Sequence, residues 1–202
     1  MPPAINEACF QGTMSHKWLL MAQGFVLDRS GKGKYVMSAG SNCVERNGGI
    51  ANPSKIHLKL GNTYFRFADS IRERADRERA VYGGWWIDYE TLERMVQFAH
   101  ESALDFGYVL KLWCAVPYEW GESNRIVSAE LQRPLLAWAG PGRRGEVTGK
   151  SDRDGGADYT PPQDVMQIFI PGLDQHGAAA FPDVLVEYSR DSSYIRGKCS
   201  CV

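Results

Sequence analysis

This 202-residue chain has no excess of either charge: 23 Lys and Arg stand against 24 Asp and Glu, giving a net charge of −1. Such a balance provides no bulk attraction to nucleic acid or to an anionic membrane surface. No apolar run approaches the roughly 18 residues that a transmembrane helix needs. Met1 to Lys17 lacks the charged and then apolar pattern of a cleavable signal. Delivery through a dedicated secretion machine would leave no such mark, so the expected location is the cytoplasm or, for a secreted effector, outside the cell by a signal-less route. Cysteine is sparse: Cys9, Cys43, Cys114, Cys199 and Cys201 form an odd, scattered set. That set is neither a disulfide framework nor a zinc motif, so reduced thiols and no metal are expected.

What is present suffices for one domain over 1–202 with a hydrophobic core of its own. Residues 1–16 show no periodicity and read as a loose arm; 190–202 read as a flexible tail. The tail places Cys199 fourth from the end, the prenylation position, but Ser200 fits the aliphatic pattern poorly. Lys17 to Leu27 and Lys34 to Met37 are apolar runs around a turn-rich Asp28–Gly33, a hairpin pattern. Gly31 and Gly33 lack the strand-to-helix setting of a phosphate loop and read as a solvated turn. Ser38 to Pro53 is expected as a long loop.

Ile56 to Phe67 alternates as a strand. Ser70 caps a charged helix ending at Gly83-Gly84. Trp85-Trp86-Ile87 is a short strand, and Asp88 an N-cap for a second helix carrying Leu92, Val96, Ala99 and Ala103 on one face. Tyr108–Pro117 and Ile126–Trp138 read as strands, the latter interrupted at Pro134. Gly140–Tyr159 is expected as a mobile loop, and Val165–Ile170 and Val184–Tyr188 as the last strands. Two helices among about seven strands point to the α+β class.

The chemistry centres on Tyr64-Phe65-Arg66-Phe67. An arginine among aromatics on a strand needs a partner, because an unpaired charge out of water costs several kcal/mol. Two readings stand at Arg66: a fork for phosphate, or a structural pair with Asp69 or Asp88. Tyr82, Trp85 and Trp86 offer flat faces to a ring, or else packing. Adjacent tryptophans on a strand point to opposite faces. Gln167 is either a ribose-holding amide or an ordinary strand residue. Arg143 and Arg144 read as solvated charges, and Cys114 as a buried small hydrophobe.

The order of these segments resembles the ADP-ribosyltransferase and NAD-glycohydrolase toxin superfamily: an aromatic-flanked Arg66, then the aromatic strand Trp85-Trp86-Ile87, then Gln167-Ile168-Phe169-Ile170-Pro171. The resemblance covers about Thr63 to Leu173. Two departures are plain: Trp85-Trp86-Ile87 replaces the family's Ser-x-Ser, and Gln167 stands where the catalytic Glu is usual.

The resemblance implies a split β-sandwich with a few helices, and NAD or NADP as substrate. It gives catalytic roles to Gln167 and Arg66, and ligand-binding roles to Arg66, Tyr82, Trp85 and Trp86 in one cleft. Glycosidic cleavage builds positive charge on the ribose. A Gln holds a hydroxyl but adds no charge, so the substitution favours NAD(P) glycohydrolysis over mono-ADP-ribosylation of a macromolecule. A protein acceptor, an immunity or delivery partner, and an effector or toxin role follow from the same resemblance. The alternative from another class is a non-catalytic module that binds a nucleotide or a peptide.

Overall fold

The computed structural model describes residues 2–27, 35–36, 46–69, 79–147 and 159–188. Ten strands are described: β1 Phe25–Leu27, β2 Tyr35–Val36, β3 Arg46–Asn47, β4 Ser54–His57, β5 Thr63–Ala68, β6 Trp85–Asp88, β7 Arg125–Glu130, β8 Leu136–Pro141, β9 Met166–Phe169 and β10 Val184–Tyr188. The described α-helices are α1 Gly12–Ala22, α2 Tyr89–Glu101, α3 Phe106–Cys114 and α4 Leu173–Ala180. The fold is α+β.

A seven-stranded sheet runs in the order β10-β7-β5-β6-β9-β8-β4, and β2-β1-β3 form a small second sheet. Both are antiparallel. The large sheet divides at β6. Trp85 and Trp86 pair with Phe169 and Ile168 of β9, whereas Ile87 and Asp88 pair with Phe65 and Tyr64 of β5. The two halves are therefore joined at opposite ends of one short strand and share a single inner core.

That core takes Tyr64, Trp86, Val127, Ala129, Ala137, Ala139 and Ile168 from the strands, with Val81, Leu173 and Phe181 alongside. Period-two alternation sends Phe65 and Ile87 to the other face, under α2 and α3. On the far half it sends Leu136, Trp138 and Phe169 outward against Ala4, Phe10 and Ala22.

Several sequence expectations hold. β1 and β2 form the hairpin, with Val26 opposite Val36. Asp88 caps α2, accepting from the Thr91 amide at 2.9 Å, and α2 buries Leu92, Met95 and Ala99.

Others are corrected. The arm expected at 1–16 is not loose over its described residues, 2–16. Fully buried Asn6 donates to the carbonyls of Leu136 and Pro171 at 2.9 and 3.0 Å and accepts from the Leu136 amide at 2.9 Å. One amide side chain anchors this segment, so no periodicity announces it. Ile56–Phe67 is two strands in different halves, β4 and β5, separated by a turn at Gly61, whose φ is +77°. Tyr108–Pro117 is mostly the helix α3. Asp105 accepts from the Tyr108 amide at 3.1 Å, and Val109, Leu110 and Trp113 bury one face. A short apolar run does not distinguish helix from strand by pattern alone, and the cap decided it.

Pro134 marks neither a bulge nor an edge; it lies between β7 and β8, which belong to different halves. Ala103 lies beyond the end of α2. Helices α1 and α4 were not expected, and the loops expected at 38–53 and 140–159 hold β3 and the end of β8. The Asp28–Gly33 turn, most of the helix expected after Ser70, and the 190–202 tail lie outside the described residues. Among the described residues no helix is long and apolar enough to cross a membrane.

Candidate functional site

Arg66 occupies the inner face of β5, between Tyr64 and Ala68. Because Phe65 pairs with Ile87, and Trp86 with Ile168, the residues Arg66, Trp86 and Ile168 share that face. The Arg66 side chain lies against the strap at residues 80–83. Its Nη1 donates to the Ala80 carbonyl, and its guanidinium carbon stands 6.0 Å from the Trp86 ring centroid. Gly83 is the seat of the guanidinium: a Cβ there would come within 2.0 Å of it. The Trp86 indole is fixed in turn, donating to the Gly83 carbonyl at 2.7 Å and stacking on Phe181 at 4.9 Å.

No carboxylate balances Arg66 among the described residues. Asp69, one expected partner, accepts instead from the Ser123 amide at 2.7 Å. Asp88, the other, caps α2. Arg66 Nε is buried with no hydrogen-bond partner. Burial alone pushes the guanidinium pKa down to about 10. A cation held this way has no counter-charge among the described residues, an arrangement that costs stability unless an anion supplies it. Tyr82, in the same strap, stays partly exposed, with Gly177 of α4 packed beneath it.

Gln167 faces the other way. One residue before Ile168 on β9, it shares the outer face with Phe169, and only 4% of it is exposed. Its amide nitrogen donates to the Cys114 carbonyl at the end of α3, 3.0 Å away, and Gly142 closes over it. Trp85 is on this outer face too, 39% exposed, 5.0 Å from the Phe169 ring, which Trp18 meets at 6.2 Å.

The expected cleft holding Arg66, a tryptophan and Gln167 together is therefore corrected: Arg66, Trp86 and Tyr82 gather on one side of the sheet, Gln167 and Trp85 on the other. The reason is the pleat. Register places Ile168, not Gln167, in the Arg66–Trp86 row, and a one-residue offset reverses the face.

Two further groups differ from their sequence reading or complete it. Arg143 is not a freely solvated charge but is half-buried, its Nη atoms donating to the carbonyls of Gln23 and Ala51 at 2.7 and 3.1 Å. Cys114, expected to be buried, is half-buried against the core under α2 and α3, and burial pushes its thiol pKa up to about 12. Gly83 carried a signal in the Gly-Gly pair, although it was read only as a helix stop.

No protein-family model matches the chain, and no curated protein matches it. A solved structure described as "Rhs1-CT in complex with cognate immunity protein RhsI1" is similar over 67% of this chain and 76% of that chain, at 16% identity and a TM-score of 0.37. At that level of likeness no residue role passes from one chain to the other.

Proposed function

We propose that this protein binds a phosphate-bearing nucleotide through Arg66, with NAD(P) as the ligand and release of nicotinamide as the activity. The observation that carries the binding is the buried Arg66 guanidinium with an unpartnered Nε and no carboxylate among the described residues. A phosphate supplies two oxygens to a planar fork, which is the contact a guanidinium makes best. Trp86 and Gly83 hold the fork in place, and Tyr82 offers an aromatic face beside it. The choice of NAD(P) and of glycosidic cleavage rests on the sequence resemblance, as does an effector role with an immunity or delivery partner. Gln167, on the opposite face, serves in this reading as a clamp between β9 and the end of α3.

The test is calorimetric titration with NAD and NADP, together with an assay for free nicotinamide, on wild type, Arg66→Lys and Gln167→Ala. Arg66→Lys keeps the charge but loses the fork. A charge-assisted hydrogen bond is worth about 1.5–3 kcal/mol, so affinity is expected to fall about tenfold to hundredfold. Gln167→Ala is expected to leave affinity within about threefold, since it touches the other face. An unchanged affinity in folded Arg66→Lys would refute the reading. Binding without nicotinamide release would assign the non-catalytic module, and ADP-ribose appearing on protein would assign the transferase. Loss of turnover in folded Gln167→Ala with binding kept would return Gln167 to the chemistry.

A further inference from the structure

We propose that Gly177 of α4 is a positioning residue for Arg66, setting how far the strap at residues 80–83 closes on the guanidinium. The contacts that join them form a ring. Arg66 Nη1 donates to the Ala80 carbonyl at one end of the strap. The Gly83 carbonyl, at the other end, accepts from the Trp86 indole at 2.7 Å. Trp86 stacks on Phe181 with ring centroids 4.9 Å apart, and the Phe181 amide, just past α4, donates to the Gly177 carbonyl at 2.8 Å. The ring closes where Gly177 meets the strap. A Cβ on Gly177 would stand 2.8 Å from the Val81 carbonyl oxygen and 3.1 Å from both the Tyr82 ring and Val81 Cγ2.

Nothing else accounts for a glycine at this position. Gly177 lies inside a helix without a positive φ, where Ala is the better helix former. Close approach of another backbone is what remains. The Val81 carbonyl cannot swing aside as a flexible side chain does, so a methyl at 177 moves the strap itself. Ala80 and Gly83 move with it, and these are the two strap residues that touch the guanidinium. A bidentate contact to an oxyanion depends on the aim of that fork. The effect of Gly177 on affinity rests on Arg66 being the nucleotide's ligand, as proposed above; its effect on the strap does not.

The experiment reads the two separately, on the full chain. Arg66 Nε is buried from solvent, so its N–H gives a resonance in nitrogen-labelled protein, identified by its loss in Arg66→Lys; the Trp86 indole N–H is identified by its loss in Trp86→Phe. In ligand-free Gly177→Ala both resonances are expected to move, while the Gln167 side-chain amide, on the other face, stays. Val81→Ala trims the same contact from the strap's side, is expected to move the same pair, and serves where Gly177→Ala does not fold. Ala179→Gly, at an exposed position of α4, weakens the helix and is expected to leave both in place. Calorimetric affinity for NAD is expected to fall about threefold to tenfold in Gly177→Ala. Unmoved resonances in the folded variants, equal movement in Ala179→Gly, or NAD affinity kept in Gly177→Ala would each overturn the proposal. A wild type that binds no NAD would overturn the nucleotide reading alone, and the resonances would still decide whether Gly177 sets the strap.

Discussion

Replacing Arg66 by Met separates a ligand-binding arginine from a structural one. Met keeps most of the side-chain length, removes the charge, and packs adaptably beside an aromatic ring. In the folded protein the Arg66 pKa is held at about 10 by burial, so keeping it charged at neutral pH costs about 3 kcal/mol relative to the unfolded chain. Against that gain stand the bond to the Ala80 carbonyl, worth about 1–2 kcal/mol when lost, and the Trp86 contact, worth about 0.5–1 kcal/mol.

Arg66→Met should therefore leave the ligand-free fold unchanged or about 0–2 kcal/mol more stable, a rise of at most about 4–8 °C in melting temperature for a chain of this size. Breaking a true buried ion pair would instead destabilise by about 3–5 kcal/mol. The sign in pH is fixed. The folded state sheds this proton more readily than the unfolded one, so wild-type stability gains from this group as pH rises through about 10. The advantage of the Met variant shrinks there. Urea denaturation at pH 7 and pH 10 measures both, and nucleotide titration measures the accompanying loss of binding. A destabilisation of 3 kcal/mol or more would refute the view of Arg66 as a cation awaiting its anion.

Asn6→Ala removes three buried hydrogen bonds to Leu136 and Pro171 and should cost about 2–4 kcal/mol by urea denaturation; a loss under 0.5 kcal/mol would mean that the N-terminal segment is not anchored there. The half-buried Cys114 thiol should be alkylated more slowly at pH 8 in the native than in the unfolded protein, because burial pushes its pKa up to about 12 and leaves little thiolate. The folded state keeps a proton that the unfolded thiol loses near pH 9, so this group's contribution to stability declines as pH rises from about 9 to 12, and the decline should be absent in Cys114→Ser.

The sequence by itself determined what depends on local pattern. The alternation of Tyr64-Phe65-Arg66-Phe67 places Arg66 and its aromatic neighbours on a strand. Asp88 before an amphipathic run dictates a capped helix. Adjacent Trp85 and Trp86 cannot share a face. Composition points to a core without staples, and the order of helical and strand patterns to the α+β class.

Tertiary structure decided what depends on pairing between distant strands. Arg66 and Gln167 are a hundred residues apart, and whether they meet is set by the register of β5 on β6 and of β6 on β9. One residue of register separates a shared cleft from opposite faces, and motif order carries no information about it. The same holds for Asn6 and for Arg143, whose partners are backbone carbonyls far along the chain. Backbone carbonyls are alike in every residue, so side chains bound to them leave no complementary signal in the sequence. Only the assembled sheet shows that Arg66 has found no acid among the described residues, since both carboxylates expected to pair with it are turned to backbone amides.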